Sequence, residues 1–230
     1  MTKAPTLLVG AGGGIGRTLA ERLDAAGRSV LLAGRTPASL TEVAAGLAGE
    51  ASCFTVDVTD ADQVRRLADQ VPDLGHVVLA VGDLLIAPLV SLDLSQARAA
   101  FDSKFWAGMH VGKYLGPRIE DGGSLTFLGG AGTPPDWHAP QDWSVTAAGN
   151  AALAALTQVL AKELAPVRVN IVSPGLVLDG TDRHAEPGVS LLPAGHGGLA
   201  RDIAEAIEML QGNPFITGVS LPVDGGARLM

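Results

Sequence analysis

Short apolar runs alternate with longer stretches of helical periodicity along almost the whole chain. The apolar runs predict strands at 6–10, 29–33, 51–56, 76–81, 123–128, 167–172 and 216–221. The amphipathic stretches predict helices at 14–26, 38–47, 60–70, 95–118, 147–165 and 200–211. The run Val77–Val81 is apolar at every position, as expected where helices cover both faces of a parallel sheet. The alternation predicts one doubly wound α/β domain over 1–230, with a seven-stranded, mostly parallel sheet.

Three residues at the predicted helix boundaries fit known capping preferences. Asp60 and Ser95 lie at the starts of predicted helices and are expected N-caps, because their side-chain oxygens can accept from first-turn N–H groups. Gly27 follows the first predicted helix and is its expected end, since glycine adopts the left-handed conformation without strain.

A glycine-rich turn joins the first predicted strand to the first predicted helix. Gly10, Gly14 and Gly16 follow Leu7–Val9, and the helical pattern starts at once with Ile15. Glycine lets the backbone pass close to a ligand, and the free N–H groups of a helix's first turn favour an anion. The expected guest is a pyrophosphate. The spacing differs from the G-x-G-x-x-G fingerprint of dinucleotide sites, and the alternative is a tight turn with no ligand.

Composition and charge narrow the class of protein. Among 230 residues, 47% are apolar and 17% charged, which suits an oligomer with small or apolar surface residues. The net charge is −8 and no basic cluster is present, so neither nucleic acid nor an anionic membrane is an expected partner. Cys53 is the single cysteine, so the sequence predicts no disulfide framework and no metal site.

The start of the chain and its apolar runs bear on localisation. No signal-peptide pattern precedes Leu7, and we expect no apolar run of the roughly 18 residues that a membrane span needs. The sequence therefore predicts a cytoplasmic protein.

Several ordered motifs resemble the short-chain dehydrogenase/reductase (SDR) family. These are the glycine turn, Asp57-Val58 after the third strand, Pro174-Gly175 after the sixth, and Asp224-Gly225-Gly226 near the end of the chain. Ala161-Lys162-Glu163-Leu164-Ala165 is similar to the end of the family's long interface helix. The resemblance implies a Rossmann-like fold that binds a nicotinamide dinucleotide. In the family, Asp57 and Val58 would contact adenine, and Pro174-Gly175 would lie beside the nicotinamide. Gly82 matches the glycine that ends the fourth strand's motif.

Arg35 bears on the choice between NADP(H) and NAD(H). An NAD site usually places an acidic residue after the second strand to bind the ribose 2′-hydroxyl, whereas an arginine suits a 2′-phosphate. This chain has Gly34-Arg35 there, so we expect NADP(H) to be preferred over NAD(H). The alternative is that Arg35 is a solvated loop charge.

The family's catalytic tetrad of Asn, Ser, Tyr and Lys is replaced at every aligned position. Lys104 stands at the asparagine position and Gly130 at the catalytic serine. Anchored on the following Ala-Ala-Leu, Thr146 replaces the tyrosine and Asn150 the lysine. The one tyrosine, Tyr114, lies on a different predicted helix. A threonine hydroxyl has too high a pKa to replace an activated phenol, so standard carbonyl reduction is not expected.

Two other side chains are candidates for the chemistry. Lys104 could hold ribose or polarise a carbonyl, and the alternative is a surface lysine on its helix. His138 lies in a loop with Asp136, Asp142 and two tryptophans, and is our acid/base candidate. The prolines and aromatics of that loop can equally serve only to stiffen a lid.

The stretch 176–199 corresponds to the family's variable substrate lid. Its His184 and His196 lack metal-ligand spacing, so a flexible lid is the preferred interpretation.

Three functions remain open at this point. The first is an atypical NADP(H)-dependent oxidoreductase of a small carbonyl compound or alcohol, in which Lys104, His138 and bound water replace the tetrad. The second is a non-redox enzyme such as a dehydratase, isomerase or cyclase. The third is a non-catalytic NADP(H)-binding sensor or scaffold. In each case the resemblance implies a homodimer or homotetramer, formed through the helices at 95–118 and 147–165 and through the last strand with helix 200–211.

Overall fold

The computed structural model describes residues 4–130, 141–186 and 188–230. The strands are β1 (Thr6–Val9), β2 (Val30–Gly34), β3 (Ser52–Thr55), β4 (Leu74–Leu79), β5 (Ile119–Leu128), β6 (Arg168–Pro174), β7 (Val177–Leu178), β8 (Gly198–Leu199) and β9 (Ser220–Val223). The α-helices are α1 (Gly14–Ala25), α2 (Pro37–Ala45), α3 (Ala61–Gln70), α4 (Leu94–Phe101), α5 (Ala107–Leu115), α6 (Ser144–Glu163) and α7 (Ala200–Gly212).

Seven strands form one parallel sheet in the order β3-β2-β1-β4-β5-β6-β9. The chain places β2 and β3 on one side of β1 and then crosses over to β4, which pairs with the other side of β1. The strand order therefore reverses beside β1. The predicted seven-stranded, doubly wound fold is confirmed. In such sheets ligands bind outside the carboxyl ends of the strands, next to the point of reversal.

Helices cover both faces of the sheet. Helices α3, α5 and α6 pack on one face, where Phe127 and Leu153 are fully buried. Helices α1, α2 and α7 pack on the other, with Leu19 and Ile207 buried. Strand residues alternate between the two cores: Leu7 belongs to the first and Leu8 to the second. Burial on both faces explains why these strands read as continuous apolar runs.

The helix predicted at 95–118 is interrupted. A π-helical turn at Asp102–Trp106 separates α4 from α5, and a 3-10 turn at Gly116–Arg118 follows. The predicted cap at Ser95 is wrong: Asp93 caps α4, its Oδ1 accepting from the amides of Ser95 (2.7 Å) and Gln96 (3.1 Å). A carboxylate just before the helix reaches both first-turn amides, which a residue inside the helix cannot do.

The other two capping predictions are correct. Asp60 Oδ1 accepts from the amides of Asp62 and Gln63 at the start of α3. Gly27 has φ +70°, and Arg28 N donates to Leu23 O across the end of α1. That pattern is a Schellman motif, which satisfies the last carbonyls of the helix.

The last strand begins later than the predicted 216–221. Gly218 has φ +74°, which no extended strand accommodates, so the ladder starts only at Ser220. The Asn170 side chain holds the preceding segment instead, donating to Ile216 O and accepting from Val219 N.

Helix α6 is long and apolar enough, by length and composition, to cross a membrane. This corrects the expectation that no run reaches that length. Within the fold α6 packs on β6 and on the helices beside it, and Leu153 and Thr157 are fully buried. A core helix that is covered on one long face needs the same apolar composition.

His76 is buried at the amino end of the sheet and makes the fold acid-sensitive. Its Nδ1 lies 2.9 Å from Ser124 Oγ on the neighbouring strand. Burial, with Arg28 and Arg168 adding repulsion, lowers the pKa of His76 from 6.5 to about 4. The unfolded chain therefore binds the extra proton first. This contribution is complete above pH 6.5 and is lost as the pH falls towards 4.

We expect that loss to be about 3 kcal/mol of unfolding free energy. Urea unfolding at several pH values measures it. His76→Gln should flatten the pH dependence across this window, whereas His184→Gln, at an exposed histidine, should leave it unchanged. An unaltered pH dependence in His76→Gln would contradict the assignment.

Candidate active site

A cleft runs along the carboxyl ends of the central strands. It consists of one cavity of about 320 Å³ and a second of about 1000 Å³. Ala80, Val81, Gly82 and Asp83, which follow β4, line both. The smaller cavity also contacts Gly10, Arg35, Asp57 and Val58. The larger one contacts Ile15, Lys104, Thr146, Asn150, Pro174 and Gly175. The fold thus brings most of the predicted cofactor residues to one cleft.

Two glycines of the turn, Gly10 and Gly16, are required by close packing, and the third, Gly14, is not. Gly10 has φ +92°, and a Cβ there would lie 2.3 Å from Ala80 O. A Cβ on Gly16 would lie 2.3 Å from Gly10 O, so this glycine lets α1 pack against the turn. Gly14 has open space around it. Helix α1 starts there without a side-chain cap, which leaves its first-turn amides available to an anion.

Asp57 and Val58 form the wall of the smaller cavity, and both are held in place. Asp57 Oδ1 accepts from Thr59 N (2.9 Å) and Thr59 Oγ1 (2.8 Å), so this aspartate shapes its own turn as well as lining the cavity. His110 Nδ1 lies 2.9 Å from Val58 O and donates to it from α5. The sequence did not indicate that contact.

Arg35 reaches across the cleft to Asp83. Its Nη2 lies 3.6 Å from Asp83 Oδ1, and its side chain is 65% exposed. An exposed ion pair of this kind contributes little to stability. The guanidinium is therefore available to exchange Asp83 for a stronger anion.

Lys104 lies in the π-helical turn, on the wall of the larger cavity. Its Nζ donates to Val81 O (3.2 Å), Leu128 O (3.2 Å) and Gly129 O (3.4 Å). Burial lowers the pKa of Lys104 from 10.5 to about 8, and the nearby Asp83 carboxylate opposes that shift. The structure thus places a cation at the site, not on the helix surface.

Gly82 makes room for this lysine. A Cβ at Gly82 would lie 2.1 Å from Lys104 Cε, and the residue has φ +139°. The backbone conformation favours glycine here, and a Cβ would displace the end of the Lys104 side chain from its present place.

Thr146 holds the loop that follows β4. Its Oγ1 accepts from Leu85 N (3.1 Å) and donates to Leu85 O (2.9 Å). The hydroxyl thus uses both its acceptor and its donor capacity on the backbone of Leu85. The structure therefore gives Thr146 a positioning contact to the loop after β4.

Asn150 lies one helical turn after Thr146 and is buried on the wall of the larger cavity. A Cβ built on Gly130 would lie 3.0 Å from Asn150 Nδ2, and one on Gly129 would lie 2.8 Å from Ile171 Cδ1. The side chains around this double glycine fill the space that serines would need.

The acid/base candidate His138, with Asp136, lies outside the described residues. Of the same loop, Asp142 has φ +68°, and its carbonyl accepts from Ala87 N at 2.9 Å. Trp143 follows and lines the larger cavity.

The predicted lid at 176–199 is anchored to α7. Arg183 makes a bidentate ion pair with Asp202, at 2.7 Å on each oxygen. His184 and His196 lie with ring centroids 6.5 Å apart. Within the described residues no group of three or more His, Cys, Asp or Glu could hold a metal ion.

Sequence reasoning missed two features of the cleft. Asp83 approaches both Arg35 and Lys104, and Leu84 and Ile86 line the larger cavity from the loop after β4. The signal available was the apolar run Leu84-Leu85-Ile86, which does not indicate which surface each side chain faces.

Comparisons with known proteins agree over the whole chain. A family model described as enoyl-(acyl carrier protein) reductase matches residues 10–228. The short-chain dehydrogenase/reductase ATR9 of Stachybotrys chlorohalonatus is 33% identical, covering 97% of this chain and 96% of its own. D-erythrulose reductase of Gallus gallus is 28% identical, covering 96% and 94%.

A solved structure has the same architecture. The crystal structure of a small-chain dehydrogenase in complex with NADPH is 32% identical, with a TM-score of 0.84 and 100% of both chains covered. A second, described as a putative betaketoacyl-ACP reductase, is 29% identical with a TM-score of 0.86, covering 99% of this chain and 98% of that one.

Proposed function

Because this chain belongs to the short-chain dehydrogenase/reductase family of oxidoreductases, we propose that it is an NADP(H)-dependent oxidoreductase of small carbonyl compounds or alcohols. The proposal departs from the family's standard chemistry in one respect: Lys104 takes the place of the missing tyrosine as proton donor and acceptor. The observation that carries it is a single cleft in which the cofactor motifs adjoin a lysine with a pKa of about 8.

The residues of the cleft fit a nicotinamide dinucleotide. Gly14 leaves open space beside the uncapped start of α1, where a pyrophosphate would accept from backbone amides. Asp57 and Val58 would face adenine, and Arg35 would pair with a 2′-phosphate. Asn150, Pro174 and Gly175 would lie along the nicotinamide half. The NADPH complex of a 32% identical relative supports this arrangement.

Lys104 would complete the reaction by moving a proton. A bound nicotinamide supplies or accepts the hydride, and the substrate oxygen must gain or lose a proton in the same reaction. A general acid works best when its pKa lies near the working pH, which an ordinary lysine does not meet and this one does. The three carbonyls around Nζ orient the ammonium, and its long hydrogen bonds to them are weak enough to be exchanged.

A non-catalytic NADP(H)-binding protein is the second candidate. The observation in its favour is that Lys104 donates to three backbone carbonyls and Thr146 bonds to Leu85 on both sides, so both polar groups already have partners. A single-turnover experiment separates the two functions. The protein is mixed with NADPH and a panel of ketones, and nicotinamide absorbance is followed. Oxidation of bound NADPH supports the enzyme, and tight binding without oxidation supports the sensor.

Arg35→Ala tests the cofactor preference. We expect NADPH binding to weaken by about 10- to 100-fold, because a charge-assisted contact to the 2′-phosphate is lost. NADH binding should change little. Calorimetric titration with each nucleotide measures the ratio. Arg65→Ala, at an exposed arginine on α3 paired with Asp62, is the control and should alter neither affinity. An equal loss of affinity for NADPH and NADH would contradict a contact between Arg35 and the 2′-phosphate.

We also propose a cytoplasmic homodimer or homotetramer. Val159 on α6, Trp106 beside α5 and Phe215 before β9 are large apolar side chains exposed in the single chain. They lie on or next to the elements through which the family resemblance implies assembly.

Val159→Glu should therefore reduce the molar mass in light scattering to that of a smaller assembly, because a carboxylate would be buried between subunits. Thr41→Glu, at an exposed position of α2, serves as the control. A monomeric wild-type protein would refute the assembly.

A further inference from the structure

We infer that the substrate of this cleft has an apolar body, a ring system or branched chain attached to the reacting carbonyl or alcohol carbon, and is not a sugar or polyol. The inference rests on the proposed function, because it names the substrate class of that site. It comes from the apolar side chains that line the larger cavity.

Exposed apolar side chains from two segments meet in this cavity. Leu84 and Ile86 come from the loop after β4, and Leu176 follows β6. Their exposed fractions in the chain are 59%, 53% and 45%. Trp143, at the start of α6, and Val177 line the same cavity. Large apolar residues exposed together around one cavity are typical of a binding site.

The apolar wall is held in place. Thr146 Oγ1 fixes the backbone of Leu85 through its two hydrogen bonds, so the side chains on either side of Leu85 are set against the cavity. Ala87 N donates to Asp142 O at 2.9 Å, and Asp83 N donates to Ser103 Oγ at 2.9 Å. The loop is therefore tied to the body of the protein at both ends and in the middle. A preformed wall lowers the entropic cost of binding.

The Asp224 carboxylate, which lines the cavity, is held by the backbone: it accepts from Gly226 N and Arg228 N. A polyol placed against Leu84, Ile86 and Leu176 would bury hydroxyls beside side chains that offer no hydrogen bonds. Burying each such hydroxyl without a hydrogen bond would make the free energy of binding less favourable. An apolar body instead loses only its own contact with water.

The volume also suits such a substrate. Pockets for ligands of drug size span roughly 300–1000 Å³, and this cavity is about 1000 Å³. It can therefore hold the nicotinamide end of a cofactor together with a bulky substrate.

Binding, not turnover, tests the inference. The NADP⁺-saturated protein is titrated with 2-decalone, a bicyclic ketone, and with erythrulose, a four-carbon ketose, by ligand-observed NMR and calorimetry. We expect decalone to bind at least about tenfold more tightly than the ketose. Equal or tighter binding of the ketose would overturn the inference. If decalone binds as expected but no ketone of the panel oxidises NADPH, the proposed function fails and the inference stands.

Matched variants locate the site. Leu84→Ser combined with Ile86→Ser should weaken decalone binding about tenfold or more, through loss of apolar contact. Leu89→Ser combined with Val90→Ser changes exposed apolar residues of the same loop that do not line the cavity, and should have no effect. Equal losses in the two double variants would contradict the inference.

Thr146 is tested as a positioning residue. Thr146→Val keeps the shape and removes both hydrogen bonds, so decalone binding should weaken while NADPH affinity stays unchanged. Thr146→Ser keeps the hydroxyl and should restore decalone binding. Two results would contradict the positioning role of Thr146. One is a loss of NADPH affinity in Thr146→Val, and the other is decalone binding in Thr146→Val equal to that of the wild type.

Discussion

Lys104→Met is expected to lower turnover by about 100-fold or more, the range that general acid–base catalysis supplies. The variant removes the Nζ group and leaves Val81 O, Leu128 O and Gly129 O without that donor. A stability loss of about 1–3 kcal/mol should accompany it. NADPH affinity should change by no more than about tenfold, because the phosphate and adenine contacts lie elsewhere in the cleft.

The pH profile makes this prediction specific. In the wild type, carbonyl reduction should slow as the pH rises through about 8, where the Lys104 ammonium loses its proton. That limb should vanish in Lys104→Met. Lys104→Arg keeps the charge but cannot release a proton near neutral pH, so it should not restore turnover.

Lys113→Met is the matched control, since Lys113 is an exposed lysine of α5. Steady-state kinetics and urea unfolding are measured on all four proteins. A folded Lys104→Met protein with wild-type turnover would remove Lys104 from the mechanism.

The second large effect is expected from Gly16→Ala. The new Cβ would lie 2.3 Å from Gly10 O and 2.9 Å from Ala11 Cα. Both atoms belong to the backbone, so no side chain can rotate to relieve the clash. Helix α1 must shift away from the turn, at a cost of about 3 kcal/mol of unfolding free energy. NADPH binding should fall with it, because the first turn of α1 moves.

Gly14→Ala separates ligand binding from packing. Beyond the adjoining backbone of its own helix, no described atom lies within 4 Å of the position that the new methyl group would occupy, so stability should stay within about 1 kcal/mol of the wild type. Under the proposed function its NADPH affinity should still fall, because the methyl group takes up the open space where the pyrophosphate would bind. Urea unfolding and calorimetric titration measure both variants. A Gly16→Ala protein as stable as the wild type would contradict the packing argument.

Much of the cleft was predictable because its signals are local. A strand followed by glycines at 10, 14 and 16 indicates a turn into a helix wherever it occurs. The carboxyl ends of parallel strands meet at one edge, so Arg35 and Asp57, each following a strand, were expected near that turn. The structure places both on the smaller cavity.

The features that escaped prediction depend on partners distant in the chain. Thr146 bonds to Leu85 across 61 positions, and Lys104 bonds to Val81 across 23. The π-helical turn that presents Lys104 differs from an α-helix by its hydrogen-bond register, which side-chain periodicity does not report.

The predicted replacement of the tetrad illustrates the same limit. The resemblance implies that Gly130 and Asn150 stand at two of the family's catalytic positions. Only the structure brings the two together: a Cβ at Gly130 would lie 3.0 Å from Asn150 Nδ2. Gly130→Ser alone would therefore require Asn150 to move. The side chains tolerated at these two positions depend on each other, because the positions are close in space. The sequence around either position does not show this contact.

By itself the sequence determined the order of strands and helices, the glycine turn and the residues that follow each strand, because these depend on periodicity and local backbone preference. The tertiary structure decided which side chains face the cleft and what Thr146 and Lys104 contact. It also decided that Leu84 and Ile86 line the larger cavity. Those properties depend on packing between segments far apart in the chain. No local pattern encodes the distance between them.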